Sequence, residues 1–409
     1  MIGSGVFLLP ASLAPFGWNA VAGWGVSILG AVSIALTMAA LGRRFADSGS
    51  PADYVARAFG PVIGFLIGWS FLVGLWTSVA ALAAAAASYL SVFAPALARW
   101  PALASLGFLA AVSLINLAGV RMAGRVQIAT MLMKLAPLLL VILLMGLLLG
   151  REGVAAVRPF PAGGLSLPAV SAAGAITLFA LLGFETVTGA SDRIIRPEVN
   201  IPRAMVAGTL FVGALYLLVC SGIVLLMPEA RLAASNAPFA DFVEQVSTPG
   251  LAKLIAAFAA VSALGAMNGF VLMSGELPGA MARRGMLPAW AGRTGRAGTP
   301  VRALLLGSGV VALLIGSTAS PTLGGLFNAM ALLTTSTTLW LYLACALTAL
   351  KFRIGVLTAL PALAFSVWTL FGAGIGVSLL SLVLMLAGLP LYVWARSDAR
   401  SGAAEKAPE

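Results

Sequence analysis

Apolar residues along this chain form long runs separated by short polar loops rich in arginine. A bilayer-spanning helix needs about 20 consecutive apolar residues. On that measure the runs predict a short first piece at 6–14. Full spans follow at 20–41, 61–93, 101–120, 127–149, 167–190, 204–227, 251–280, 301–316, 326–350, 355–374 and 377–395. The runs 61–93 and 251–280 exceed what a perpendicular helix requires, so those helices tilt or protrude. Two runs are interrupted by glycine, at Gly3-Ser4-Gly5 and at Leu182-Gly183-Phe184-Glu185. Glycine costs roughly 1 kcal/mol relative to alanine inside a helix. A break at membrane depth is tolerated only where its backbone polar groups are buried in protein or line a cavity. The exposed N–H groups at the start of a half-helix suit an anionic ligand group such as a carboxylate.

Composition agrees with the pattern. Hydrophobic residues make up 61% and charged residues 9% of 409 residues, against about 25% charged in a soluble protein. Mean hydropathy is +1.05. A net charge of +11 would point to nucleic acid in a soluble chain; here its placement decides. With the loop after 20–41 in the cytoplasm and strict alternation, 18 basic residues fall inside and 4 outside, as the positive-inside rule requires. This predicts a multi-pass protein of the inner membrane with a cytoplasmic tail at 396–409. The chain has no histidine, and neither a metal-ligand cluster nor a secretory leader is legible. Cys220 and Cys345 lie in apolar runs and read as small buried hydrophobes. The alanine-rich stretch 80–87 reads as a surface for close helix packing.

Few side chains can carry chemistry. Within the confident spans the acids are Glu185 and Glu276. An intramembrane carboxylate is expensive and is a functional candidate by default. Glu185 stands beside the second break; Glu276 lies near Arg283 and Arg284, where an ordinary ion pair is expected. A membrane enzyme lacks support, with no histidine and no carboxylate pair in the spans. A channel would show a ring of charges or a repeated filter, and neither is present.

Several motifs occur in a definite order: Gly3-Ser4-Gly5-Val6-Phe7, Phe179-Ala180-Leu181-Leu182-Gly183-Phe184-Glu185, Arg196-Pro197-Glu198-Val199-Asn200-Ile201-Pro202-Arg203-Ala204, Ala282-Arg283-Arg284-Gly285-Met286-Leu287-Pro288 and Gly298-Thr299-Pro300. Together they resemble the amino acid–polyamine–organocation (APC) transporters, nearest the bacterial arginine/agmatine antiporter branch. The resemblance implies an all-α membrane fold of about 12 transmembrane helices, a five-plus-five inverted repeat with helices 1 and 6 broken. The first repeat is then 1–149 and the second 167–350, with two extra helices at 355–395. It implies secondary transport of amino acids or related amines by alternating access, proton-linked or by exchange. A non-transporting paralogue or sensor of the same fold is the other reading. No cofactor and no nucleic-acid partner are implied; the partners are the small-molecule substrate and the lipid bilayer, and a homodimer is left open.

Residue by residue, the resemblance puts the substrate carboxylate at Ser4 and Gly5, and the substrate amine at carbonyls near Met1, Phe179 and Leu182. Relatives begin earlier, which implies a truncated or misassigned start at Met1. Phe179 matches a helix-6 aromatic that stacks on the substrate. Phe71 and Phe270 match two further aromatic walls, and Glu185 a glutamate linked to protonation. Val79 and Leu75 stand where the arginine transporter has polar or smaller residues, so the polar readers of arginine are replaced by apolar bulk. A neutral or broadly chosen amino acid fits better. Pro202 suits the first turn of the helix that begins the 204–227 span.

Overall fold

The computed structural model describes residues 4–45, 50–117, 134–184, 196–293, 300–318 and 320–404. The chain opens with a 3-10 turn, Ser4–Phe7, followed by α1 (Leu9–Leu13) and a second 3-10 turn, Ala14–Phe16. The first half of the molecule continues with α2 (Trp18–Arg44), α3 (Pro51–Phe59), α4 (Pro61–Leu90), α5 (Ala96–Arg99), α6 (Pro101–Leu117) and α7 (Leu135–Glu152). The second half holds α8 (Leu167–Leu181), α9 (Pro197–Leu226), α10 (Glu229–Ala233), α11 (Pro238–Val246), α12 (Pro249–Arg283), α13 (Val301–Ser317) and α14 (Leu323–Lys351). α15 (Val356–Gly372), α16 (Ile375–Leu386) and α17 (Leu389–Ala404) close the chain. Among the described residues, 7 helices are long and apolar enough to cross a membrane, and shorter apolar helices lie at Pro101–Leu117, Leu167–Leu181, Val301–Ser317 and Val356–Gly372.

Two sets of helices pack closely. α2 lies against α8 and α9; α4 lies against α12 and α14. The opening 3-10 turn touches α4, α8 and α12 and so lies between the two sets. The alanine-rich stretch of α4 is buried, with Ala83, Ala84, Ala86 and Ala87 fully enclosed. Small side chains there let neighbouring helices approach. Buried hydroxyls and amides tie helices together where lipid offers no partner. Ser27 donates to the Gly174 carbonyl at 2.9 Å, joining α2 to α8. The Thr77 and Thr334 hydroxyls meet at 2.8 Å, and Ser70 donates to the Thr337 carbonyl at 2.7 Å, joining α4 to α14. Asn116 donates to Asn268 Oδ1 at 3.0 Å, joining α6 to α12.

The structure differs from the sequence reading at four places. α9 begins at Pro197, so Pro202 lies inside the helix rather than in its first turn. The last expected span, 377–395, is present as the apolar stretch Ile375–Ser397, but it is interrupted at Ala387-Gly388 between α16 and α17. A Cβ on Gly388 would sit 2.6 Å from the Trp69 ring, so that close approach requires glycine. Arg284 pairs with Asp53 at 2.6 Å, not with Glu276, which is exposed. Finally, α3, α5, α10 and α11 were not foreseen. They are short, and α3 and α11 each open on a proline at the first turn. α3 buries Tyr54, Val55 and Ala58 while showing Arg57 to the outside, an amphipathic helix too brief for a run-length search.

Candidate functional site

The two glycine breaks meet. A Cβ built on Gly5 would stand 2.5 Å from Phe179 Cε1, well inside contact distance. Only glycine lets the opening turn lie against that ring. α8 ends at Leu181; Leu182 is extended (φ −63°, ψ 155°) and Gly183 takes φ 107°, a value side chains disfavour. The helix therefore stops at the break for a local, backbone reason. The Leu182 N–H donates to the Phe179 carbonyl at 3.3 Å, which uses one of that oxygen's two lone pairs.

α14 flanks both sides of the break. Phe179 stands edge-on to Phe327 with ring centres 5.6 Å apart. Phe184 stacks on Tyr342 at 5.5 Å and 14°. Phe327, Thr334, Thr338 and Tyr342 fall near one face of a helix by their spacing. On α4, Phe71, Leu75 and Val79 follow at intervals of four and share a stripe; Leu75 and Val79 are buried and Phe71 is half-buried. Phe270, on α12, is half-buried and packs against the core. Both helices touch the opening turn. Of the sequence-predicted residues, Gly5 and Phe179 are in direct contact, and Phe71, Leu75, Val79 and Phe270 lie on helices that touch the opening turn. Ser4 begins the 3-10 turn. Met1 and Glu185 lie outside the described residues.

The opening segment is also held from positions that sequence reasoning missed. The buried Tyr89 hydroxyl donates to the Phe7 carbonyl at 2.7 Å and accepts from the Phe239 N–H at 3.3 Å. The Phe7 ring meets Phe239 edge-on at 4.9 Å. The opening turn is thereby joined through α4 to α11. At the far end of the segment, Arg158 donates to the Ala14 carbonyl at 3.0 Å and pairs with Glu229. The Arg158 backbone N–H donates to Leu225, and its carbonyl accepts from the Trp18 indole. The bonds to the Phe7 and Ala14 carbonyls span 82 and 144 residues of sequence, and no local motif announces them.

An opening turn packed against the glycine-terminated end of α8, inside an apolar bundle that is helical through the described residues, fits a multi-pass membrane transporter. The chain belongs to the amino acid permease family, whose model matches residues 1–406. It is a secondary transporter of the APC superfamily, not an enzyme. Similar proteins include the putrescine transporter PotE of Escherichia coli K12, 28% identical over 333 residues, covering 81% of this chain and 75% of the relative. The cadaverine/lysine antiporter of the same strain is 29% identical over 329 residues, with 80% and 73% covered. The PotE of Haemophilus influenzae is 26% identical over 415 residues, covering 96% and 93%. Among solved structures, a manganese transporter of Eremococcus coleocola aligns with a TM-score of 0.56 over 98% of this chain and 94% of its own, at 15% identity. At that identity the likeness carries the fold.

Proposed function

We propose that this transporter carries neutral amino acids, held by their common α-amino and α-carboxylate groups at the two breaks, with the side chain against an apolar wall. The carrying observation is the contact of Gly5 with Phe179, which sets the backbone of the opening turn against the aromatic ring at the end of α8, three residues before the second break. The N–H groups of the opening turn suit a carboxylate; the carbonyls at Phe179 and Leu182 suit an ammonium. Phe71, Leu75, Val79, Phe179 and Phe270 offer the side chain no charge.

The relatives that act on putrescine or on cadaverine and lysine favour a second reading, a diamine exchanger. A diamine has two cations and no carboxylate, so it needs an acidic partner in the site. On the helices α4, α8, α12 and α14 the one acid is Glu276, which is exposed. Glu185, beside the second break, is the remaining candidate; we assign it to proton coupling or gating. The charge bias supports a cytoplasmic C-terminus, and the two breaks support repeats at 1–149 and 167–350.

The test is competition in proteoliposomes. Leucine or methionine should displace a labelled neutral amino acid better than arginine, putrescine or cadaverine. Preferential displacement by a diamine would replace this reading with the second one, and uptake of neither class would favour a non-transporting paralogue.

A further inference from the structure

We propose that the corner where α2, α3 and α14 end is a docking site for the headgroup of an anionic phospholipid. Cations from three separate elements converge there. α2 ends on Arg43 and Arg44, α3 carries Arg57, and α14 ends on Lys351 with Arg353 just beyond. Arg44, Arg57 and Lys351 sit on aromatic rings. The Arg44 and Arg57 guanidiniums lie 5.9 Å and 5.4 Å from the centre of the Phe45 ring. That ring stacks on Tyr54 and meets Phe352 edge-on at 5.4 Å. The Lys351 ammonium lies 5.0 Å from the centre of the Phe59 ring and donates to the Ala58 carbonyl, which pins the end of α14 to α3. Cation–π attraction holds a cation in place. The positive-inside bias accounts for the sign of these residues. It does not account for Arg44 and Arg57 sharing the Phe45 ring.

The surroundings fix the class of partner. Asp53, the acid on α3, is taken up by Arg284. Arg43, Arg44 and Arg353 are exposed. Exposed apolar side chains begin within a few residues of the cations: Phe59, Val62 and Ile63 lead into α4, and Val356, 39% exposed, and Leu357, 90% exposed, begin α15. α2 and α15 are joined at this level by the contact of Thr37 with Thr358. Cations within a few residues of exposed apolar side chains fit a molecule with an anionic head and acyl tails. An acidic protein segment would leave the apolar side chains uncovered, and free phosphate would leave them unused. Basic pockets at helix ends bind anionic headgroups through the same electrostatics.

The experiment is native mass spectrometry of the full-length detergent-purified protein with phosphatidylglycerol and phosphatidylethanolamine supplied together. Phosphatidylglycerol should be retained preferentially. The triple variant R43Q/R44Q/R353Q should lose about tenfold of that preference. R43K/R44K/R353K, which keeps the charge, should retain it. R293Q/R302Q, removing two exposed arginines elsewhere, should leave it unchanged. Equal retention of the two lipids by the unaltered protein would overturn the proposal. So would a preference that survives the glutamine variant, an equal loss in R293Q/R302Q, or displacement of the lipid by inorganic phosphate. If the glutamine variant does not fold, the thermal-unfolding midpoint of the unaltered chain decides. It should rise more with phosphatidylglycerol than with phosphatidylethanolamine, and an equal rise would overturn the assignment. None of these readouts involves transport, so the outcome is independent of the substrate reading.

Discussion

At the scale of single residues, the proposed site rests on one missing methyl group. Replacing Gly5 by alanine would put a carbon where Phe179 Cε1 stands 2.5 Å away. The ring is also in contact with Phe327, edge-on at 5.6 Å between centres, which restricts its movement. Overpacking of this kind costs about 1–3 kcal/mol. Gly5→Ala should therefore weaken substrate binding by about tenfold or more, and adding Phe179→Leu should restore part of it. If the double variant binds no better than Gly5→Ala, the defect lies elsewhere than in this contact. Phe179→Ala alone should weaken binding by roughly 1–3 kcal/mol, the scale of losing an aromatic wall; calorimetry on the purified protein reads it. Glu185 makes a different demand. In a chain without histidine, a carboxylate beside a helix break is the simplest proton carrier. Glu185→Gln should flatten the pH dependence of uptake while the protein remains folded, and an unchanged profile would remove Glu185 from coupling.

At the scale of elements, the opening segment is short and would be a weak structure alone. α1 has 5 residues, fewer than an isolated helix needs to persist in water. Its position is set by what grips it: Tyr89 at Phe7 and Arg158 at Ala14. Gly17, with φ 51°, leaves room for the Arg158 guanidinium, whose Nη1 would lie 3.1 Å from a Cβ there. The Arg158–Glu229 pair is partly exposed, at 27% and 46%, and such pairs contribute about 0–1 kcal/mol. A guanidinium donating to a backbone carbonyl is worth more, since hydrogen bonds to charged groups contribute about 1.5–3 kcal/mol. Glu229→Gln should thus change transport little, whereas Arg158→Gln should lower it clearly. Arg158→Lys should recover only part, because an ammonium is a point donor without the fork that reaches two partners. Equal damage from Glu229→Gln and Arg158→Gln would show that the ion pair, rather than the bond to Ala14, holds the segment.

At the scale of the whole molecule, the long apolar runs made the spans legible, because a helix in lipid must be both long and apolar to satisfy its backbone. The two breaks were legible for the converse reason: glycine in such runs is costly unless used. What stayed hidden was everything set by contacts between distant segments. Phe327 and Tyr342 sit in an ordinary apolar helix, and nothing in their neighbourhood marks them as partners of Phe179 and Phe184. Arg158 and Tyr89 act on backbone carbonyls, which leave no trace in side-chain patterns. Pro202 misled because proline favours a first turn, while α9 extends five residues further back, to Pro197. Short amphipathic helices such as α3 escaped because two turns cannot be told from a loop by hydropathy alone.

Orientation is the remaining property of the whole molecule, and charge argues it. The structure gathers Arg43, Arg44, Arg57, Lys351 and Arg353 with the Asp53–Arg284 pair around α3, and places Arg158 and Arg231 with α10. The larger group corresponds to loops expected inside, the smaller to loops expected outside. The native cysteines, Cys220 and Cys345, are both buried, so the unaltered chain should show little background with an impermeant thiol reagent. Single cysteines at Arg57, Arg293 and Arg353 should then resist that reagent in intact cells and react after lysis. A cysteine at Arg231 should react in intact cells. Labelling of Arg57→Cys or Arg353→Cys from outside would invert the molecule in the membrane and place the lipid-binding corner on the opposite leaflet. Mixed labelling, with Arg57→Cys inside and Arg293→Cys outside, would instead mean that an odd number of spans separates them and that the alternation from α4 to α12 was miscounted.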